Sequence, residues 1–150
     1  MIIIKEIERR LPVLESARKI PQICAKVMEN LYGDPHPGEI GKRLSDELES
    51  ITRNCNETIY MMCKLLVNNA SQDGRSAGTR GAIGSSFTAF LLGITGVNPL
   101  RPHSRCMNCK HIEFVPGVAS GYDLPDKPCP ICKNKMVGDG HGMAFEIFSR

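Results

Sequence analysis

The spacing of apolar residues predicts two consecutive helices in the first half of the chain. In residues 39–53 charged side chains fill the outer positions, and the apolar positions follow a helical repeat of Ile40, Leu44, Leu48 and Ile51. Asn54–Asn56 interrupts the repeat, and Asn56 is a suitable N-cap for the next helix. That helix is expected to end at the turn 72–75, to complete an αα-hairpin, and to bury Ile59, Met62, Cys63, Leu66, Val67 and Ala70.

The N-terminal part of the chain predicts short helical pieces and no export or membrane segment. Residues 1–32 are helix-prone but interrupted by Pro12 and Pro21, and residues 32–38 form an irregular connector. The apolar runs are too short for a signal sequence or a membrane span. We therefore expect a cytoplasmic protein without a membrane partner.

Two Cys-x-x-Cys pairs in the second half carry the strongest chemical pattern. Their 19-residue separation suits a zinc site whose ligands are Cys106, Cys109, Cys129 and Cys132. Two such turns direct four thiolates toward one ion at Zn–S distances of about 2.3 Å, which leaves no open position, so the zinc is expected to be structural. The alternatives are a redox dithiol, which two pairs at this spacing disfavour, and disulfides, which a cytoplasmic location disfavours.

The segment between the pairs has too few apolar side chains to fold without metal. Ordering its backbone costs ~1–2 kcal/mol per residue, whereas structural zinc can supply on the order of 10–16 kcal/mol. Asn134 is expected to adopt the left-handed conformation that the second turn requires. The negative charge of the site is expected to be balanced by flanking basic residues, namely Arg105, Lys110, Lys127, Lys133 and Lys135.

Charge is distributed unevenly along the 150 residues, although the net charge is only +3. Residues 74–112 contain no Asp or Glu. A basic stretch of this kind can contact nucleic-acid phosphates, and a solvated surface is the alternative. The candidate DNA-binding residues are Arg75, Arg101, Arg105 and Lys110.

A glycine- and serine-rich segment, residues 78–86, precedes a short apolar run. The run 87–95 predicts a helix that ends near Gly96 and that Ser85 or Ser86 caps. Glycines allow close backbone approach to a phosphate, and free N–H groups at a helix start attract anions. A glycine-rich turn that only packs a helix against a strand is the alternative.

The order of several motifs closely resembles PolC-type DNA polymerase III alpha subunits of low-GC Gram-positive bacteria. The resemblance extends from about Tyr32 to the end and includes both Cys-x-x-Cys pairs. Its other motifs are Tyr32-Gly-Asp-Pro and the segments 42–51, 78–87, 93–100, 121–127 and 139–146.

The resemblance implies an α+β fold, in which a helical hairpin leads into part of a polymerase β-like nucleotidyltransferase palm with a four-cysteine, zinc-ribbon-like insertion. Residues 1–38 would form an N-terminal helical segment and connector, and residues 39–102 the hairpin and a partial palm. The zinc insertion would span 103–136, and 137–150 would be a truncated return to the palm.

The implied function is DNA-templated nucleotidyl transfer during replication. The resemblance places the zinc on the four cysteines. It places the incoming deoxynucleoside triphosphate on a turn and helix start formed by Arg80, Gly81, Ala82, Gly84, Ser85 and Ser86. The family has a phosphate-contacting serine where this chain has Ala82.

The family's metal-binding aspartates belong to a Pro-Asp-x-Asp motif that follows a segment resembling Phe145–Phe148, and the 150 residues do not include that motif. Mg2+ is therefore expected only in the complete polymerase, and this chain alone is expected not to polymerise DNA. Asp123, Asp126 and Asp139 are interpreted as turn residues. Three interpretations stay open: a polymerase piece that works with the remaining polypeptide or a split downstream subunit, a standalone zinc-containing nucleic-acid-binding module, and a remnant without function.

Overall fold

Helices dominate the first part of the protein, as the apolar repeat predicts. A computed structural model describes residues 13, 15–79 and 81–145. Its α-helices are α1 Ile20–Tyr32, α2 Gly38–Arg53, α3 Glu57–Gln72 and α4 Phe87–Leu91. Two 3-10 helices cover Gly81–Ser85 and Gly121–Asp123. None of the helices in these ranges is both long and apolar enough to cross a membrane.

The second part of the described chain forms one antiparallel sheet. Its strands are β1 His103–Cys106, β2 Ile112–Phe114, β3 Lys127–Pro128 and β4 Lys135–Asp139, in the spatial order β2-β1-β4-β3. In β1, His103 lies opposite Phe114 of β2 and Asp139 of β4. The combination of helices and an antiparallel sheet confirms the prediction of a mixed α+β fold. Strand β4 runs across the predicted domain boundary between residues 136 and 137.

Helices and sheet share one hydrophobic core. The Tyr32 ring lies 6.2 Å from that of Phe87 and 5.8 Å from that of His103, measured between centroids. Ile112 and Phe114 of β2 pack against the same core. The sheet is therefore anchored on the helices by side-chain packing.

A buried amide connects the two parts as well. Asn98 is fully buried, and its Nδ2 donates to the Tyr32 hydroxyl at 2.7 Å and to Asp139 Oδ2 at 2.8 Å. Its Oδ1 accepts from the Leu100 backbone N–H. Asp139 is thus not the simple turn residue that the sequence suggests, because it ends β4 and belongs to this buried network.

The predicted hairpin helices are present, but α3 buries a different face. In α2, Ile40, Leu44 and Ile51 are buried as predicted. In α3 the buried residues are Tyr60 and Met61, whereas Ile59, Met62 and Leu66 are 50, 51 and 65% exposed. The predicted inward face is therefore wrong for these three residues, although Cys63 and Val67 do pack on the core.

The rotation of α3 has a polar cause. The Tyr60 hydroxyl donates to Ser86 Oγ at 3.1 Å, and Lys64 Nζ donates to the Leu92 carbonyl at 2.8 Å. Both partners lie next to α4, more than 20 positions away in sequence. Apolar spacing alone carries no information about such bonds.

Helix α4 is shorter than its apolar run predicts. Ser86 is the N-cap, and its Oγ accepts from the Ala89 N–H at 3.1 Å, which confirms one of the two predicted caps. The helix ends at Leu91, ahead of the predicted end near Gly96, and Gly93 follows with φ of +73°. A glycine with positive φ just after a helix is a common way to end it.

Candidate metal centre and phosphate turn

The four predicted cysteine ligands converge on one point. Their Sγ atoms all lie within 4.8 Å of one another, with 3.4 Å between Cys106 and Cys132 and 3.5 Å between Cys109 and Cys129. A regular tetrahedron with Zn–S bonds of about 2.3 Å has sulfur–sulfur edges of about 3.8 Å. The cluster therefore fits a tetrahedral thiolate-bound ion, whereas the two short separations are far longer than a disulfide bond of about 2.0 Å.

Two similar turns supply the ligands. Lys110 follows Cys109 with φ of +64°, and Lys133 follows Cys132 with φ of +63°. The prediction that Asn134 takes the left-handed conformation is wrong, because Lys133 takes it one position earlier. Asn134 instead donates its Nδ2 to Cys132 Sγ at 3.4 Å.

The thiols of the cluster titrate unequally. Hydrogen bonds from Asn134 lower the pKa of Cys132 to about 5. A hydrogen bond from the His111 backbone acts in the same direction on Cys109, but desolvation and the neighbouring thiols outweigh it and raise the pKa of Cys109 to about 12. Thiolates are the zinc-binding form, so a metal must displace the more tightly held protons, and acid weakens its binding.

Three of the four cysteines supply most of the small apolar core around them. Cys106, Cys129 and Met136 form a separate buried group, with Cys132 packed against it. Three of the expected counter-charges are engaged elsewhere, since Lys127 pairs with Glu113, Lys135 with Asp126, and Arg105 lies 3.5 Å from Asp139. So small an apolar group agrees with the prediction that this part of the sheet needs a metal to fold.

The glycine- and serine-rich segment forms a tight turn ahead of α4. Gly81 is exposed with φ of +69°, and Ala82 and Ser85 are buried. Ser85 Oγ donates to the Ala82 carbonyl at 3.2 Å, which closes the turn on itself. Gly84 is half-buried, and Arg80 lies outside the described residues. The structure thus brings five of the six predicted phosphate-binding residues into one turn.

A buried carboxylate that the sequence interpretation missed lies behind this turn. Glu47 has no solvent exposure and accepts hydrogen bonds from Ser86 Oγ and from the backbone N–H groups of Phe87 and Thr88, at 2.8–2.9 Å. Arg43 Nε donates to it at 2.6 Å. Glu47 lies three residues after Leu44 and four before Ile51, on the predicted inward face of α2. A carboxylate at this position was the signal in the sequence that could have identified it.

The four candidate DNA-binding residues lie on different elements. Arg75 is exposed just after α3, while Arg101 pairs with Glu39 at 2.5 Å and stacks over Phe114. Arg105 is 15% exposed within β1. Lys110 donates to the Met107 carbonyl and lines a cavity of about 610 Å³ between its turn and the connector after α1. Arg75 and Arg101 are therefore the exposed residues of the four, and Arg101 is paired with an acidic side chain.

Comparison with known proteins places this arrangement in a family. Residues 18–149 match the family model described as the bacterial DNA polymerase III alpha NTPase domain. A PolC-type DNA polymerase III of Thermotoga maritima is 41% identical over 150 residues, which is 97% of this chain and 11% of the relative. That of Lacticaseibacillus paracasei is 48% identical over 120 residues, 79% of this chain and 8% of the relative.

The match covers nearly all of the chain but only a small part of each relative. The Streptococcus pyogenes PolC-type polymerase gives the same result, with 41% identity over 91% of this chain and 10% of the relative. The chain therefore spans about a tenth of the length of the curated relatives it matches. The matched range includes the four-cysteine cluster, the turn at 81–86 and the helix that carries Glu47. The chain belongs to the bacterial DNA polymerase III alpha NTPase domain family, as its resemblance to PolC-type polymerases predicts.

Proposed function

We propose that this chain forms part of the palm of a PolC-type replicative DNA polymerase, where it contributes a triphosphate-binding turn and a structural zinc site. In this proposal residues 39–102 form the helical hairpin and part of a polymerase β-like palm, 103–136 form the zinc insertion, and 137–150 return to the palm. Membership of the family supports the polymerase assignment, since the relatives are named as PolC-type DNA polymerases III. The four-thiol cluster supports zinc as the ion.

The observation that carries the triphosphate assignment is the geometry of the 81–86 turn. Gly81 presents its backbone to solvent in a conformation that favours glycine, while the other side of the turn is held from within the protein by Glu47. Positively charged Arg80 precedes the turn. An exposed backbone that follows an arginine in sequence suits the charged oxygens of a polyphosphate.

The roles within the turn follow from its contacts. In this proposal Arg80, Gly81 and Gly84, with the backbone of Ala82, contact the triphosphate. Ser85 and Ser86 are buried and hydrogen-bonded inward, and they keep the turn in shape.

The described buried carboxylates do not provide a second metal site. Glu47 and Asp139 are occupied by internal hydrogen bonds. In the complete polymerase, bound Mg2+ would stabilise the attacking and leaving oxygens of the transfer. We propose that this chain alone does not extend a primer.

A chimeric polymerase tests the proposed function directly. Residues 20–145 of this chain would replace the matching residues of the Thermotoga maritima relative, and primer extension would be measured. We expect an active chimera, in which Arg80→Ala lowers kcat/KM for the nucleotide at least ~10-fold, because a charged donor to the developing phosphate charge is lost.

The matched control for this experiment is Arg53→Ala, which removes an exposed arginine paired with Glu49 on α2. It should leave kcat/KM unchanged. An Arg80→Ala chimera as active as the unaltered chimera would refute the assignment of the turn. Primer extension by this chain alone would contradict the division of roles.

We propose DNA contacts for four basic residues, Arg75, Arg101, Arg105 and Lys110. The same contacts would support a second candidate function, that of a non-catalytic nucleic-acid-binding module. The observation that favours it is the exposed charge of Arg75 in a stretch without acidic residues. We expect the affinity for a primer–template duplex to fall steeply between about 50 and 200 mM salt. Arg75→Ala and Lys110→Ala should each reduce the slope of log K against log salt by about 1.

Fluorescence anisotropy of a labelled duplex measures this dependence. Lys42→Ala is the control, because Lys42 is exposed but paired with Asp46 at 2.6 Å. If both test variants retain the slope of the unaltered chain, these residues do not contact phosphates. If the unaltered chain binds DNA and Arg80→Ala does not change the activity of the chimera, the non-catalytic binding module is favoured.

A further inference from the structure

We propose that Glu47 and Arg43 are positioning residues for triphosphate binding, which fix the 81–86 turn without touching the nucleotide. This inference rests on the proposed function, since it assigns the turn's internal support rather than its ligand. Neither residue belongs to the turn or to the basic stretch. Both lie on α2, about 40 positions earlier in sequence.

Glu47 holds the junction between the turn and α4. Its Oε1 accepts from Arg43 Nε and the Phe87 N–H, and its Oε2 accepts from Ser86 Oγ and the Thr88 N–H. A buried carboxylate with four donors has its charge compensated and its orientation fixed. The N-terminal N–H groups of α4 are thereby used by the protein itself, so a triphosphate must approach from the outer side, at Gly81.

Arg43 extends the same support to two further segments. Its Nη2 donates to the Ser85 carbonyl at 2.9 Å, and its Nη1 donates to the Met143 carbonyl at 3.0 Å. With Glu47, the guanidinium therefore connects α2, the turn and the chain after β4. The planar fork of arginine can satisfy three separate acceptors, whereas the compact ammonium of lysine is not held in that geometry.

Charge and positioning make opposite predictions for Glu47. Removal of a negative charge near a phosphate site strengthens anion binding if only long-range electrostatics matter. If Glu47 fixes the turn, Glu47→Gln weakens binding, because an amide nitrogen replaces an acceptor of two hydrogen bonds. The sign of the change therefore separates the two roles, and a purely structural role would alter thermal stability without altering the affinity of the folded protein.

The experiment titrates the 150-residue chain with inorganic tripolyphosphate. Binding is measured from the changes in the amide chemical shifts of Gly81 and Gly84. We expect saturable shifts in the unaltered chain and about tenfold weaker binding by Glu47→Gln, at a temperature where circular dichroism shows it folded. Asp46→Asn is the control, since it removes an exposed carboxylate from the neighbouring position and should not change the affinity.

Two other variants, Arg43→Lys and Arg80→Ala, make the result interpretable whatever Glu47→Gln shows. Arg43→Lys retains the charge and is expected to bind several-fold more weakly; if Glu47→Gln does not fold, this variant decides the question. Tripolyphosphate binding that Arg80→Ala weakens but Glu47→Gln and Arg43→Lys do not would refute the positioning role alone. If the unaltered chain does not bind tripolyphosphate, or if Arg80→Ala binds it normally, the proposed turn and its support both fail.

Discussion

Replacement of Cys129 by serine is expected to unfold residues 103–139 while α1, α2 and α3 stay folded. Cys129 is fully buried, and among the described residues the local core beside it consists of Cys106 and Met136, with Cys132 at its edge. Structural zinc contributes on the order of 10–16 kcal/mol in small sites, and so small an apolar cluster offers no replacement. The helices would keep most of the shared core, because the sheet adds to it mainly through the partly buried Ile112 and Phe114.

Hydrogen exchange with mass analysis of peptides from 103–139, together with zinc content, measures this effect. The unaltered chain should contain about one zinc ion per molecule, as expected for one tetrahedral site. Cys55→Ser is the matched control, because Cys55 is exposed and remote in sequence from the cluster, and it should leave both readouts unchanged. Metal-free protein that still protects 103–139 from exchange would show that zinc is not required.

Gly121→Ala is expected to destabilise the protein by at least ~3 kcal/mol, at the upper end for an overpacked site. A Cβ at Gly121 would lie 1.7 Å from the Asp139 carbonyl oxygen. The backbone N–H of Gly121 also donates to the Gly140 carbonyl at 2.7 Å. The added Cβ would meet backbone atoms of Asp139, so the clash cannot be relieved by rotation of a neighbouring side chain. The 3-10 helix at 121–123 would have to separate from β4.

Thermal unfolding followed by circular dichroism measures this change, and the midpoint should fall by about 6–12 °C for a chain of this size. Gly96→Ala is the control, since Gly96 is exposed and nothing lies within 4 Å of its added Cβ. Equal midpoints for the two variants would mean that Gly121 and β4 do not approach as closely as the structure indicates.

The sequence was most informative where one local pattern decides the outcome. The repeat in α2 predicted its bounds to within one residue, because its apolar side chains recur on one face. The two Cys-x-x-Cys pairs predicted which residues meet, since thiolates at that spacing suit one tetrahedral ion. The convergence of the four sulfur atoms agrees with this, while the identity of the ion stays a prediction.

The predictions from sequence were wrong where a side chain bonds to a residue that is distant in sequence. The face of α3 was wrong because Tyr60 bonds to Ser86, and the left-handed residue of the second cysteine turn is Lys133 rather than Asn134. Glu47 was overlooked because a carboxylate on an apolar face looks like an exception. Its buried position is favourable only when Arg43, Ser86 and the start of α4 supply four donors.

The sequence by itself determined the order of the helices, the four cysteines that converge and the family to which the chain belongs. Only the tertiary structure decided which side of the 81–86 turn is open and that Glu47 occupies the other side. The physical reason is that apolar periodicity and ligand spacing are properties of neighbouring residues. A buried charge is stable only after residues about 40 positions apart have been brought together.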